Sequence, residues 1–137
     1  MEEEDVKIVG EKDDPEVVAS MMLQLNVNIS ICYRKLAKWE ASREAANKAL
    51  QFGPKNTKAL FCSAIASFNL KDYYEADKKL QTLFEIEPNN HPAKKLKNEM
   101  KDYLQKSKQI EQNMYKQMFS REQDHKRKLQ NRNLRWN

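Results

Sequence analysis

The sequence predicts an all-α solenoid of two stacked helical hairpins closed by one long helix, and three observations carry that prediction. Apolar and turn residues recur at a spacing of 34: Pro54 returns as Pro88, Trp39 as Tyr73, Leu36 as Leu70, Leu50 as Phe84 and Phe52 as Ile86. Small residues recur at the same offset, Ser30 with Ala64 and Ser42 with Ala76. Where two helices of a hairpin cross, anything larger would push the backbones apart. Finally, 39% hydrophobic and 33% charged residues, with only two Gly and four Pro, suit a helical solenoid that has few turns and charged outer faces.

A repeat of this length is the helix–turn–helix unit of tetratricopeptide (TPR) type. Such units stack so that each covers its neighbour, and the stack leaves a concave groove that holds peptides or partner helices. A chain of 137 residues allows one domain with a modest core. The pattern points to a binding module and away from an enzyme.

The elements follow in order. Residues 1–15 form an acidic lead without helical period, expected to be a flexible linker. Asp14-Pro15-Glu16 is a helix start, with a capping acid, proline at the first helical position and an acid in the first turn. Val18, Met21, Met22, Leu25, Ile29, Cys32, Tyr33 and Leu36 then recur three or four apart and predict the buried stripe of a long first helix. A second helix is expected over Trp39–Phe52, burying Ala45, Ala46, Ala49 and Leu50 and stopping at Gly53-Pro54. The next pair is expected over Asn56–Asn69, with Leu60, Phe61, Ala64, Ile65 and Phe68, and over Asp72–Ile86, with Ala76, Leu80, Leu83 and Phe84. Asp72 reads as the cap of the latter. Asn90-His91-Pro92 opens the last helix, whose stripe runs Ala93, Leu96, Met100, Tyr103, Leu104, Ile110, Met114 and Met118 among many lysines. The repeat domain with its capping helix is placed at 16–120, and 121–137 is set apart as a basic tail.

The formal charge of +5 conceals an asymmetry. Residues 1–16 hold eight acids, whereas 125–137 hold Lys126, Arg127, Lys128, Arg132 and Arg135 and no acid. Solvated ends are the plain reading of both. Trp136 with these cations offers RNA contact as a disfavoured second reading. Cys32 and Cys62 have no metal-ligand spacing and fit a reducing, cytoplasmic setting. No apolar run is long enough to span a membrane. His91 beside a proline reads as a capping residue, and Glu85 with Glu87 as a helix end, so neither catalysis nor a cofactor or metal is expected.

The runs LNVNISICYRKLAKW and KALFCSAIASFNLKDYYEADKKL, followed by a lysine-rich helix ending YKQMF, resemble the C-terminal half of FKBP-type immunophilins over about residues 16–120. Within that family, EPNNHPAKKLKNEMKDYLQKSKQIEQNMYKQMF is most similar to the germline Shutdown-type branch of the piRNA pathway. The resemblance implies a co-chaperone adaptor. Its groove would hold the acidic C-terminal peptide of heat-shock protein 90, and its clients would be Piwi-type Argonaute proteins being loaded with small RNA.

In the family, a clamp of Lys, Asn and Arg donors from three repeats grips the peptide carboxylates, as such charge-assisted bonds do well. Carried onto this sequence, Asn28 takes the second-repeat position and Lys58 the third-repeat lysine, while Cys62 stands where the arginine would be. The clamp is therefore degenerate, and a weak grip on the peptide is expected. The isomerase domain and the first repeat of the family have no counterpart, so the chain is expected to be a fragment beginning between repeats. Without that first repeat, Val18, Met21, Met22 and Leu25 should stay partly uncovered and favour a homodimer. Folding back of Val6, Ile8 and Val9 is the competing expectation. The alternative function is a chaperone-independent scaffold or dimerisation module.

Overall fold

The computed structural model describes residues 14–136, without the Trp136 side chain; residues 1–13 of the acidic lead, with Val6, Ile8 and Val9, lie outside the described residues, while Asp14 and Pro15, expected to belong to a flexible linker, open the first helix. Five helices follow one another: α1 (Pro15–Lys35), α2 (Trp39–Phe52), α3 (Thr57–Asn69), α4 (Tyr73–Ile86) and α5 (His91–Trp136). No strand occurs among the described residues. The expected all-α architecture of two hairpins and a long last helix is what forms.

Local chemistry sets the helix ends. The Asp14 carboxylate accepts from the Glu16 N–H at 3.0 Å, with Pro15 opening α1. Asn56 caps α3 through the Ala59 N–H, and Asp72 caps α4 through the Glu75 N–H. At the start of α5 the cap is Asn90, which accepts from the Ala93 N–H at 3.0 Å; His91, expected in that role, is the exposed first helical residue. Gly53 ends α2 with φ −149°, extended backbone open to any residue. Its contribution is space, since a Cβ there would lie 3.0 Å from Leu23 Cδ2.

The hairpin turns repeat the 34-residue period in their backbone. Ala37 and Lys71 both adopt left-handed φ, 55° and 63°. Around the first, Lys38 N–H reaches Tyr33 C=O and Ala37 N–H reaches Arg34 C=O, each at 2.9 Å. The second repeats this with Asp72 to Ser67 and Lys71 to Phe68. Both turns are Schellman closures that satisfy the last carbonyls of the preceding helix.

Within the compact unit that ends at Asn98, α1 packs on α2, α3 on α4, and α2 and α1 both touch α3. The predicted small residues sit at the crossings. Ser30 and Ser42 are fully buried, and each hydroxyl donates to the other's carbonyl at 2.8 Å. Ala64 and Ala76 fill the equivalent crossing in the second hairpin. One core cluster joins Val27, Ala49 and Ala59, with Leu23, Ile31 and Leu50 packed around it. Arg43 also ties α2 to the α4 cap, 3.1 Å from the Asp72 carboxylate.

The buried face of α1 differs from the predicted stripe. Asn26, Val27 and Ser30 are buried, whereas Val18, Met21, Met22, Leu25, Ile29, Cys32 and Leu36 are exposed. The apolar periodicity selected the wrong face because the face toward α2 carries small and polar residues. Asn26 is tolerated there because its Nδ2 donates to the Met22 carbonyl at 2.8 Å. Of the residues expected to be buried in the other three hairpin helices, Ala45, Ala46, Ala49, Leu60, Ala64, Ala76, Leu80 and Leu83 are buried, whereas the larger Leu50, Phe61, Ile65, Phe68 and Phe84 are half-buried.

In α5, Ala93, Leu96 and Met100 are buried, and the Lys97 ammonium lies 5.5 Å from the Phe84 ring centroid. Residues 101–135 are all exposed. The helix runs past Phe119 and through the basic stretch to Trp136. No Gly or Pro follows Pro92, and Glu122 with Lys126 and Asp124 with Lys128 form acid-to-base pairs four apart. Such pairs each add about 0.2–0.5 kcal/mol to a helix.

Candidate functional site

α1 and the start of α3 enclose a cavity of about 380 Å³ lined by Leu23, Gln24, Val27, Asn28, Asn56, Thr57 and Lys58. The apolar floor comes from Leu23 and Val27, which also belong to the core, so the cavity is anchored on packed structure. Amide and ammonium groups from Gln24, Asn28 and Lys58 supply its polar walls. The α3 N-terminus opens here too, adding the partial positive charge of unsatisfied backbone N–H groups. Thr57 is held in place by donating to Glu87 Oε1 at 3.1 Å, while Glu87 Oε2 accepts from Asn90.

Two of the three predicted groove residues therefore meet. Asn28 and Lys58 are exposed and line the same cavity, although they are far apart in sequence and lie on different helices. Cys62 does not join them. It is 3% exposed, on the buried side of α3, and its thiol lies beside Ser30. Burial pushes the Cys62 thiol pKa up, and the Arg34 charge and a hydrogen bond with Ser30 partly offset that rise. A cysteine in this position packs; it presents nothing to a peptide.

The residue that sequence reasoning passed over is Arg34. It sits half-buried in the last turn of α1, with its guanidinium carbon 5.8 Å from the centroid of the Phe61 ring on α3. Among the described residues no carboxylate pairs with it or with Lys58. The signal was faint: Arg34 is one of two adjacent cations, with Lys35, at a helix end, where basic residues are ordinary, and only the tertiary fold brings it over Phe61.

Among the described residues, no cluster of His, Cys, Asp or Glu is placed to hold a metal ion, and no helix is long and apolar enough to cross a membrane. The four side chains expected to mediate self-association are exposed along the free side of α1: Val18 42%, Met21 66%, Met22 37% and Leu25 53%.

Residues 57–108 match the family model of the Fis1 C-terminal tetratricopeptide repeat. The chain is 28% identical over 109 residues to the peptidyl-prolyl cis-trans isomerase FKBP4 of Bos taurus, covering 80% of this chain and 24% of that protein. To the human FKBP4 it is 27% identical over 120 residues, covering 86% and 26%. FK506-binding protein 59 of Drosophila melanogaster is 24% identical over 106 residues, with 77% and 24% covered. The chain thus spans about a quarter of the length of the curated relatives it matches. Among solved structures, the Hsp90 co-chaperone Cns1 of Saccharomyces cerevisiae superposes with a TM-score of 0.73 at 24% identity, covering 84% of this chain and 36% of that one. The C-terminal TPR-containing domain of a Plasmodium falciparum FK506-binding protein does so with 0.63 at 21% identity, covering 73% and 69%. The fold is that of TPR domains, and the sequence is related to the repeat regions of FKBP4-type immunophilins.

Proposed function

We propose that this domain is a non-catalytic protein-interaction module of immunophilin type, whose α1–α3 groove takes the acidic C-terminal peptide of a heat-shock protein 90 chaperone. The observation that carries this reading is the meeting of Asn28 and Lys58 on one cavity, with no carboxylate among the described residues to neutralise the lysine. An ammonium and an amide converging at a helix N-terminus suit a terminal carboxylate. The printed name of the structurally similar Cns1, an Hsp90 co-chaperone, supports the same choice of ligand.

The finer reading places the module in the cytoplasm, on clients of Piwi-type Argonaute class during small-RNA loading. The client assignment rests on the resemblance of residues 87–119 alone, and the compartment on the free cysteines Cys32 and Cys62. Peptide affinity should be low, because Cys62 is buried where a clamp arginine would contribute a charged hydrogen bond of about 1.5–3 kcal/mol.

Titrating a labelled pentapeptide ending Glu-Glu-Val-Asp into the protein tests the reading. We expect micromolar or weaker binding that drops about tenfold in Lys58→Ala. Binding that ignores Lys58→Ala would put the peptide elsewhere and sink the groove assignment.

A second reading has its own observation. The exposed Val18, Met21, Met22 and Leu25 face of α1 fits a homodimer or scaffold contact, independent of any chaperone.

A further inference from the structure

The proposed groove has one anion-binding point, the Asn28–Lys58 cavity; Arg34, outside that cavity's lining, is a second cation with no ion pair among the described residues. Arg34 follows Asn28 by six residues on the same helix, about 9 Å further along its axis and about a third of a turn around it, on the side turned toward Phe61. Phe61 follows Lys58 by three on α3, and the Arg34 guanidinium lies 5.8 Å from its ring centroid. At that distance the cation–π attraction is appreciable, and it restrains a long, otherwise mobile side chain. A guanidinium lodged over a ring still has in-plane N–H donors for a carboxylate. Ile31, between Asn28 and Arg34 along α1, and Phe61, one turn after Lys58 on α3, are both half-buried apolar residues.

We propose that Arg34, lodged over Phe61, is the groove's second anion-binding point and substitutes for the cation missing at Cys62. This rests on the acidic-peptide reading of the Asn28–Lys58 cavity. An extended peptide advances about 3.3 Å per residue, so a spacing near 9 Å corresponds to two or three residues. With the terminal carboxylate in the cavity, Arg34 meets an acidic side chain two or three positions upstream, and an apolar residue between them rests against Phe61. The groove thereby selects C-terminal peptides with an acid at that distance over peptides that carry only the terminal carboxylate.

The neighbourhood supports the placement. Cys62 adjoins Phe61 in sequence, and the Arg34 charge is felt at its thiol. The cation therefore sits next to the position it replaces, reached from α1 instead of α3. Arg34 is half-buried and makes no ion pair among the described residues, so replacing it removes a ligand contact without breaking an internal salt bridge.

Fluorescence polarisation with peptides ending Glu-Glu-Val-Asp, and with each glutamate in turn changed to glutamine, provides the test. The proteins are the unmodified chain, Lys58→Ala, Arg34→Gln and Arg34→Lys, with thermal melts to verify folding. Arg34→Gln should weaken the parent peptide about tenfold, and Arg34→Lys should weaken it less. One glutamate-to-glutamine peptide should lose a similar factor against the unmodified chain and nothing further against Arg34→Gln. If Lys58→Ala weakens binding but Arg34→Gln does not, the Arg34 assignment is overturned while the groove reading stands. If the parent peptide fails to bind, or neither variant changes its affinity, both are overturned together.

Discussion

At the scale of single residues, two positions pay for the regularity of the repeat. Ala37 and Lys71 hold left-handed φ without being glycine, a conformation that costs an L-residue roughly 1–2 kcal/mol. Glycine would remove that strain but lose about 0.5–1 kcal/mol of unfolded-state entropy. Ala37→Gly and Lys71→Gly should each therefore stabilise the fold by about 0.5–1 kcal/mol, read as a raised Tm; a fall in both would show that the turns are unstrained. Cys62 offers a titration test. Its folded pKa is raised above the ordinary thiol value of 9.0, chiefly by burial. The folded state thus keeps its proton where the unfolded chain loses it, so the stabilising contribution is whole below about pH 9 and shrinks as pH rises through the folded value. Melting curves between pH 8 and 10.5 should fall more steeply for the native protein than for Cys62→Ala. At pH 8 a thiol reagent should label exposed Cys32 well ahead of Cys62.

Among the elements, α1 presents two unlike faces. One packs on α2 and α3 through Asn26, Val27, Ser30 and the reciprocal serine bonds. The other carries Val17, Val18, Met21, Met22 and Leu25 into solvent. Burying such a side chain contributes about 1.5–3 kcal/mol, so several on one helix favour association of two copies. Sedimentation at tens of micromolar should reveal a dimer that Met21→Glu with Leu25→Glu returns to monomer. A monomer in both cases would leave the face for another occupant. The elements also show how far sequence pattern reaches. Helices α2, α3 and α4 begin and end where their caps, Gly53-Pro54 and the repeat period placed them, because those signals are local. The extent of α5 was underestimated, since its apolar stripe fades after Phe119 while the absence of breakers and the Glu122–Lys126 and Asp124–Lys128 pairs continue it.

For the whole molecule, charge is the property that governs binding. The chain carries a formal +5, and Lys58 at the cavity and Arg34 over Phe61 have no ion pair among the described residues. An acidic peptide should therefore bind with a marked salt dependence. Raising the salt from about 0.01 M to 1 M shortens the screening length from about 30 Å to 3 Å. The expected loss over that range is on the order of tenfold, measured by the same polarisation titration. The combined Lys58→Ala and Arg34→Gln variant should show a flatter slope, and an unchanged slope would assign the effect to charges outside the groove.

The sequence by itself determined the repeat length, the all-α class, the Asp14 and Asp72 caps and the small residues at each crossing. Each of these is set by neighbours in the chain or by a periodicity that survives in one dimension. Resemblance to a family singled out Asn28 and Lys58, and the two line one cavity. Only the tertiary structure decided which face of α1 is buried, because apolar periodicity cannot tell a core face from an uncovered one when the core face is small and polar. Only the tertiary structure put Cys62 inside and Arg34 over Phe61. Those are distances between helices, and no spacing along a single helix encodes them.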